Sequence, residues 1–134
     1  MSVAAARSLA LDISEHLRGA GDIAVRRFFG GAALVIDGLQ VGFVMKGSLY
    51  LRVDDGSRPV FEALGALPFT YGSAGRSVTV ARYYETPAEI VDDPERLRDW
   101  AKEARRAASA EVTGIGRKRR GAKARRNRGS SSPS

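Results

Sequence analysis

Two glycine-containing pairs, Asp37-Gly38 and Lys46-Gly47, divide an apolar stretch into short runs, and this spacing limits what the chain can fold into. An Asp-Gly pair favours a type I′ hairpin turn, because both central residues of that turn need a positive φ. The runs are too short for helices and are joined by tight turns. They therefore predict a meander of antiparallel β-strands over 23–29, 32–37, 40–46 and 48–53.

Two adjacent glycines, Gly30 and Gly31, follow two aromatic residues and precede the second predicted strand. Adjacent glycines can form a backbone site for an anion, but such a site usually leads into a helix N-terminus. Neither the dinucleotide-binding pattern nor the phosphate-loop pattern is present. We therefore interpret Gly30, Gly31, Asp37 and Gly38 as structural turn residues rather than ligand-binding residues.

Helices are predicted on either side of the strands. Leu9, Ile13 and Leu17 lie on one face of a helix over 5–17. Ser57 and Pro59 predict the start of a short middle helix, in which Phe61 and Leu64 would pack on the sheet. Asp93 and Pro94 begin a C-terminal helix that ends before Gly114 and carries an apolar stripe, made of Leu97, Trp100, Ala101, Ala104 and Ala108. The predicted class is α+β, with one further strand after a loop in 67–87.

The basic charge of the chain is concentrated at its C-terminus. Of 22 lysines and arginines, eight lie in 117–128, which leaves 14 bases against 15 acids elsewhere, a net charge of −1. The segment has no apolar stripe with which to offset the entropy of ordering it. We expect a folded domain over 1–113 and a disordered basic tail over 114–134. Its cations are candidate nucleic-acid contacts: Arg117, Lys118, Arg119, Arg120, Lys123, Arg125, Arg126 and Arg128.

Composition argues against several kinds of chemistry. The chain has no cysteine and one histidine, so thiol nucleophiles and thiolate or histidine-rich metal sites are excluded. His16 has no evident catalytic partner, and the pairs Asp54-Asp55 and Asp92-Asp93 stand beside turns and helix starts, where capping explains them. We expect no enzymatic activity, no metal and no cofactor. No signal peptide or membrane-spanning run is apparent, so we expect a cytoplasmic protein that does not contact membranes.

Arginine and tyrosine residues in the strands leave two interpretations open. Arg26 and Arg27 point to opposite faces, so at most one of them meets the core. One of them could be an exposed contact for an anion, although packing over an aromatic ring or pairing with a carboxylate is more usual. Tyr71, Tyr83 and Tyr84 could form a stacking surface for bases, although packing within a sheet is the more usual role of strand tyrosines.

Several stretches resemble the TfoX N-terminal domain family, which is tied to the TfoX/Sxy competence regulators of bacteria. These are the aromatic-Gly-Gly turn at 28–31, Tyr50-Leu51-Arg52-Val53-Asp54, Pro68-Phe69-Thr70-Tyr71, and the spacing of Tyr84, Pro87 and Trp100. The resemblance covers about residues 7–110. Phe28 stands where the family usually has methionine, and the helical C-terminal domain of the longer regulators is replaced by the basic tail.

The resemblance implies an antiparallel sheet with helices packed on it and supplies no catalytic residues. It also implies a regulatory role in transcription, exercised together with another regulatory protein. We therefore expect a protein-interaction domain with a tail that binds nucleic acid without sequence preference. Two alternatives remain: a nucleic-acid-binding protein that uses the sheet face, and a small ligand-binding domain.

Overall fold

The computed structural model describes residues 2–118 and has the α+β fold predicted from the sequence. A six-stranded antiparallel sheet carries helices on one face. No helix in 2–118 combines the length and hydropathy needed to cross a bilayer. In chain order the elements are α1 (Val3–His16), β1 (Ile23–Phe28), β2 (Gly31–Ile36), β3 (Leu39–Met45), β4 (Ser48–Arg52), α2 (Arg58–Ala63), β5 (Pro68–Ser73), β6 (Arg76–Glu85), α3 (Ala88–Val91) and α4 (Pro94–Lys118).

The sheet combines a four-stranded meander with a separate hairpin. Strands β1 to β4 are neighbours in chain order, but β6 pairs with β4 and leaves β5 at the outer edge. The sequence predicted one strand where this hairpin has two. It missed β5 because Gly72 and Ser73 give that segment no apolar alternation, although Ala74 and Gly75 supply the two positive φ values, 52° and 78°, of a tight turn.

The predicted hairpin turns have the expected backbone geometry. Asp37 and Gly38 have φ values of 53° and 84°, and Lys46 and Gly47 have 55° and 84°. Asp37 also ties the turn to neighbouring elements, because its Oδ1 accepts a hydrogen bond from the Asp22 amide at 2.8 Å. Its Oδ2 lies 3.0 Å from Arg105 Nη1 on α4.

The main hydrophobic core lies between the sheet and helices α1 and α4. The sheet contributes Leu34, Ile36, Val41, Val44 and Leu51, all at most 1% exposed. The helices contribute Leu97 and several alanines, including Ala6, Ala10, Ala101 and Ala104. Alanine at these positions lets the two helices lie close to the sheet. Each buried leucine or isoleucine contributes about 1.5–3 kcal/mol relative to an exposed one.

Helix α4 begins as predicted, and polar contacts fix it at its start and near its middle. The Asp93 carboxylate accepts hydrogen bonds from the amides of Glu95 and Arg96, at 3.2 and 3.3 Å. Farther along, Arg106 Nη2 donates to Asp54 Oδ2 at 2.9 Å. Partial burial opposes ionisation of Asp54, but its hydrogen bonds with Ser57 and Arg106 outweigh this and lower its pKa.

Three local predictions differ from the structure. The α4 backbone runs to Lys118 rather than ending before Gly114, because continuing an established helix costs less than starting one. Ser57 precedes α2 but makes no capping bond; its Oγ accepts from the Asp54 amide instead. Leu64 is 48% exposed, whereas Phe61 is buried against Trp100 with ring centroids 4.6 Å apart.

Candidate functional site

The opposite face of the sheet carries a second apolar cluster, which we call the open face. It contains only strand residues, and none of the helical residues in the described part of the chain belongs to it. Its members are Phe28, Ala33, Phe43, Met45, Tyr50, Phe69, Val80 and Tyr83. A soluble sheet normally exposes polar residues on the face without helices, so an apolar face there requires an explanation.

Phe43 is the centre of the open face. It is 1% exposed even though no helix covers it, because other rings surround it. Its ring centroid lies 4.7 Å from that of Phe28, 4.9 Å from Phe69, 5.0 Å from Tyr83 and 5.3 Å from Tyr50. Aromatic pairs at these separations add about 0.5–1.5 kcal/mol each beyond burial. The open face is therefore a packed surface rather than a set of unrelated exposed rings.

A bulge in β6 gives the open face its concave shape. Pro68 of β5 lies opposite Tyr84, but the next residue, Phe69, lies opposite Val80, so three residues of β6 have no partner in β5. Such an insertion bends a strand sharply. Beyond the bend, Tyr71 and Val80 line the same cavity as Phe28 from the other end of the sheet.

The cavity has a volume of about 430 Å³ and is lined almost entirely by carbon. We call it the open-face cavity; Phe28, Phe29, Phe43, Met45, Phe69, Tyr71, Val80 and Tyr83 line it. Its rim is formed by Phe29 and Tyr71, which are 87% and 44% exposed. The hydroxyls of Tyr71 and Tyr83 make no hydrogen bond to the described residues.

Phe29 is unusual in both conformation and exposure. Its φ is +52°, in the left-handed region that bulky residues rarely adopt, and its ring meets that of Phe28 edge-on at 4.8 Å. The positive φ thus falls on the phenylalanine and not on Gly30 or Gly31. A strained backbone that holds an apolar ring in solvent is a feature of binding sites more than of structural turns.

Charged residues flank the open-face cavity, and most of them are basic. Arg26 lies opposite Ala33 and therefore shares the open face, whereas Arg27 lies opposite Ala32 and belongs to the other face. Lys46 follows Met45 in the β3–β4 turn, and Arg76 lies at the start of β6. We call Arg26, Lys46 and Arg76 the basic rim. All three are exposed, and in the described chain no ion pair neutralises them.

Glu85 is the acid closest to this basic rim in strand register. It lies opposite Tyr50 and accepts a hydrogen bond from Ser48 Oγ at 2.7 Å. Burial, followed by the charge of Glu85, raises the pKa of Tyr50. Arg26, Lys46 and Arg76 outnumber Glu85, which gives this side of the sheet a positive excess.

The glycines assigned to the turn occupy two different positions. Gly30 lies in the turn, where an added Cβ would meet no atom within 4 Å, whereas Gly31 is the first residue of β2. A Cβ at Gly31 would lie 2.1 Å from the carbonyl oxygen of Val44. Gly31 thus allows two strand backbones to approach directly beneath the cavity.

The other candidate residues have structural roles or lie apart. His16 is exposed at the end of α1 and Tyr84 is buried on the helix side, where its hydroxyl donates to Glu62 at 2.8 Å. Asp55 pairs with Arg58 at 2.8 Å. Residues 2–118 contain no group of three or more histidines, cysteines or carboxylates able to hold a metal ion.

The predicted nucleic-acid contacts fall almost entirely outside the described residues. Arg117 and Lys118 belong to the last turn of α4. The other six, Arg119, Arg120, Lys123, Arg125, Arg126 and Arg128, lie beyond residue 118.

Sequence reasoning identified Tyr71 and Tyr83 as a possible surface but missed the cavity. One signal was present: "VGFVM" in β3 has apolar residues at consecutive positions, as expected of a strand that is covered on both faces. The partner residues from β1 and β5 could not be found this way, because the bend in β6 brings them together.

A family model matches most of the chain. The model of the TfoX N-terminal domain family matches residues 15–108, which is 94 of the 134 residues. This range contains every residue of the open face. Among curated proteins, none gives a significant match.

Proposed function

Because the chain belongs to the TfoX N-terminal domain family, we propose that it is a non-enzymatic regulatory module that acts in transcriptional control. In this proposal the open face binds a protein partner. The basic residues from Arg117 onwards add affinity for nucleic acid that does not depend on sequence.

The observation that carries the proposal is the uncovered, concave aromatic face. A stable domain of this size has no need of two apolar faces, because α1 and α4 already bury one of them. Exposed apolar surfaces with a polar rim mark interaction sites. Phe29 and Tyr71 supply the large, rigid rings that often dominate binding energy at such sites.

A non-enzymatic role is supported by what the polar residues do. Three carboxylates hold structure: Asp37 and Asp54 anchor α4, and Asp93 caps it. The open-face cavity contributes aromatic and aliphatic carbon, with two tyrosine hydroxyls as its polar side-chain groups. This is a surface suited to binding and poor in groups that transfer protons or attack bonds.

The role in transcription is supported by the family's tie to competence regulators and by the basic segment. Eight cations within twelve residues attract phosphates through counterion release. Such contacts position a protein on nucleic acid without selecting a sequence. Specificity would therefore come from the partner bound at the open face.

The face is tested by comparing two pairs of exposed apolar residues. Phe29→Ser with Tyr71→Ser removes the exposed rings at the cavity, whereas Val60→Ser with Leu64→Ser removes two exposed aliphatic side chains at α2. We expect proteins captured from nuclease-treated native cytosol, then purified, to bind at least tenfold more weakly to the first variant. The second variant should bind as the unmodified chain does.

Equal losses in both variants, with folding intact by circular dichroism, would contradict a specific role for the open face. So would full binding by the rim variant. Either result would return the choice to the alternatives predicted from the sequence.

The nucleic-acid component is tested by replacing the eight cations of 117–128 with glutamine in the full chain. Glutamine removes charge while keeping helix propensity at Arg117 and Lys118. In a plot of the logarithm of the DNA-binding constant against the logarithm of the salt concentration, the slope of the unmodified chain should have a magnitude of at most about 7. In the glutamine variant this slope should approach zero. Retained affinity and slope would instead assign nucleic-acid binding to the sheet.

A further inference from the structure

We propose that the open-face cavity binds a small amphipathic acid, with its apolar body inside and its carboxylate at the basic rim. The inference goes beyond the proposed function, since it concerns a ligand of the domain itself and not its protein partner.

The size and lining of the cavity define the body of the ligand. About 430 Å³ lies within the range of small-molecule sites, and rings form both its floor and its walls. Phe43 closes the floor, while Phe28 and Phe69 stand on either side of it. A ligand here exchanges water for carbon contacts on several sides, which favours an alkyl or aromatic body.

The same lining disfavours a nucleobase. The edges of a base carry several donors and acceptors, and each one buried without a partner costs free energy. The side chains of the cavity offer two hydroxyls, those of Tyr71 and Tyr83. The polar part of a well-matched ligand should therefore be small and remain at the rim.

The rim defines the charge of that polar part. Arg26 is two residues from Phe28 on the same face, Lys46 adjoins Met45, and Arg76 is four residues from Val80 on the same strand. None of these exposed cations is neutralised within the described chain. Each of these cations attracts an anionic group beside it, whereas a cationic group or a second copy of this positive face is repelled.

The test uses three ten-carbon probes that differ in their head group: decanoate, decan-1-ol and decylammonium, each below its aggregation concentration. Met45 lines the cavity, and the chain has only one other methionine, Met1. Selective ¹³C labelling of the methionine methyl groups therefore gives one signal in the site and one internal control. Decanoate should shift the Met45 signal and bind about tenfold more tightly than decylammonium, with decanol between them.

Chain length and charge are then varied separately. From hexanoate to decanoate, affinity should rise about fourfold per methylene group. Arg26→Gln should weaken decanoate binding about twofold to fivefold and leave decanol unchanged. Arg27→Gln is the matched control, because the adjacent side chain belongs to the other face; it should leave both affinities unchanged.

The proposal is overturned if decanoate leaves the Met45 signal in place, if decylammonium binds as tightly as decanoate, or if the two arginine variants behave alike. Because Arg26 and Arg27 are exposed, these variants should remain folded. Failure here with a protein partner still lost on removing Phe29 and Tyr71 would reject the ligand and retain the proposed function. Decanoate binding at Met45 without any loss of a protein partner on removing Phe29 and Tyr71 would retain the ligand and reject the proposed function.

Discussion

The two faces of the sheet are both apolar, yet they are built differently. The face beneath α1 and α4 is made of aliphatic residues, such as Leu34, Ile36 and Val44, against helical alanines. The open face is made of rings that pack on one another and leave a cavity. At the edge of the open-face cavity, Phe29 combines a positive φ with an exposed ring.

This difference separates stability from recognition. Aliphatic residues against alanine fill space at high density, which stabilises the fold and leaves no room for a ligand. Rings on a bent sheet cannot fill the concavity that they surround. We call the face beneath α1 and α4 the covered face. Substitutions there should mainly lower the free energy of unfolding, whereas substitutions in the open face should mainly lower the affinity for a partner.

The largest contrast is expected between Leu34→Ala and Tyr71→Ala. Leu34 is fully buried in the covered face, so its truncation leaves a cavity and should cost about 4 kcal/mol in the free energy of unfolding. Tyr71 is 44% exposed, and its truncation should cost about 1 kcal/mol or less. Urea denaturation measures both; similar losses would remove the distinction between the faces.

The next contrast lies within the glycine pair beneath the open-face cavity. Gly31→Ala should destabilise the chain by about 3 kcal/mol, because the new Cβ would force β2 and β3 apart. Gly30→Ala should change stability by about 0.5 kcal/mol or less, since its Cβ would stand in open space. Thermal unfolding of both variants tests this, and a larger loss for Gly30→Ala would show that the strand approach is not the constraint.

The ion pair between Arg106 of α4 and Asp54, which lies between β4 and α2, should appear in the pH dependence of stability. The pKa of Asp54 is lowered in the folded chain, so the unfolded chain binds more protons in acid. This contribution should be complete above the ordinary value of 3.8 and be lost as pH falls through the lower folded value. Asp54→Asn should cost about 1 kcal/mol at neutral pH and flatten this part of the profile.

A chain with asparagine at position 54 that still shows the same acid limb in urea titrations would assign the dependence to other carboxylates. The position of the midpoint against pH is the quantity to compare. The α2 turn is a useful internal check, because an asparagine oxygen can still accept from the amides of Gly56 and Ser57, as Asp54 does.

The smallest effect is expected at Phe29, the residue of the open-face cavity that has a positive φ. Phe29→Gly relieves the left-handed φ but loses the ring contact, so stability should change by about 0.5 kcal/mol or less. Phe29→Ala keeps the strain and should be about 1 kcal/mol less stable than Phe29→Gly. Equal stability of the two variants by chemical denaturation would mean that position 29 stores no strain.

The parts of the fold that could be predicted are those whose sequence signals lie within a few residues of one another. Asp37-Gly38 and Lys46-Gly47 define their turns within two residues, and Asp93-Pro94 defines the start of α4 within one turn. Leu64 was assigned wrongly because a short helix has too few residues to fix which side faces the sheet. Ser57 holds the predicted N-cap position, although its side chain makes no capping bond. The end of α4 was placed too early for a related reason: glycine weakens a helix without necessarily ending it.

The candidate site was less predictable, since its parts are remote along the chain. Tyr71 and Tyr83 could be noticed as aromatic strand residues, but nothing local distinguishes them from Tyr84, which is buried beneath the helices. The register shift after Pro68 decides which of these neighbours face the cavity. A change of three residues in pairing is invisible in the alternation of a single strand.

By itself, the sequence determined the α+β class, the family, the meander of β1 to β4 and the concentration of basic charge after residue 116. These depend on turn chemistry, hydrophobic period and charge, which act between residues close in the chain. Only the tertiary structure decided that β6 bends, that Phe28 and Tyr71 line one cavity, and that Arg26 rather than Arg27 stands beside it. Those outcomes depend on how strands are paired and curved, and pairing energy is shared among residues far apart in the sequence.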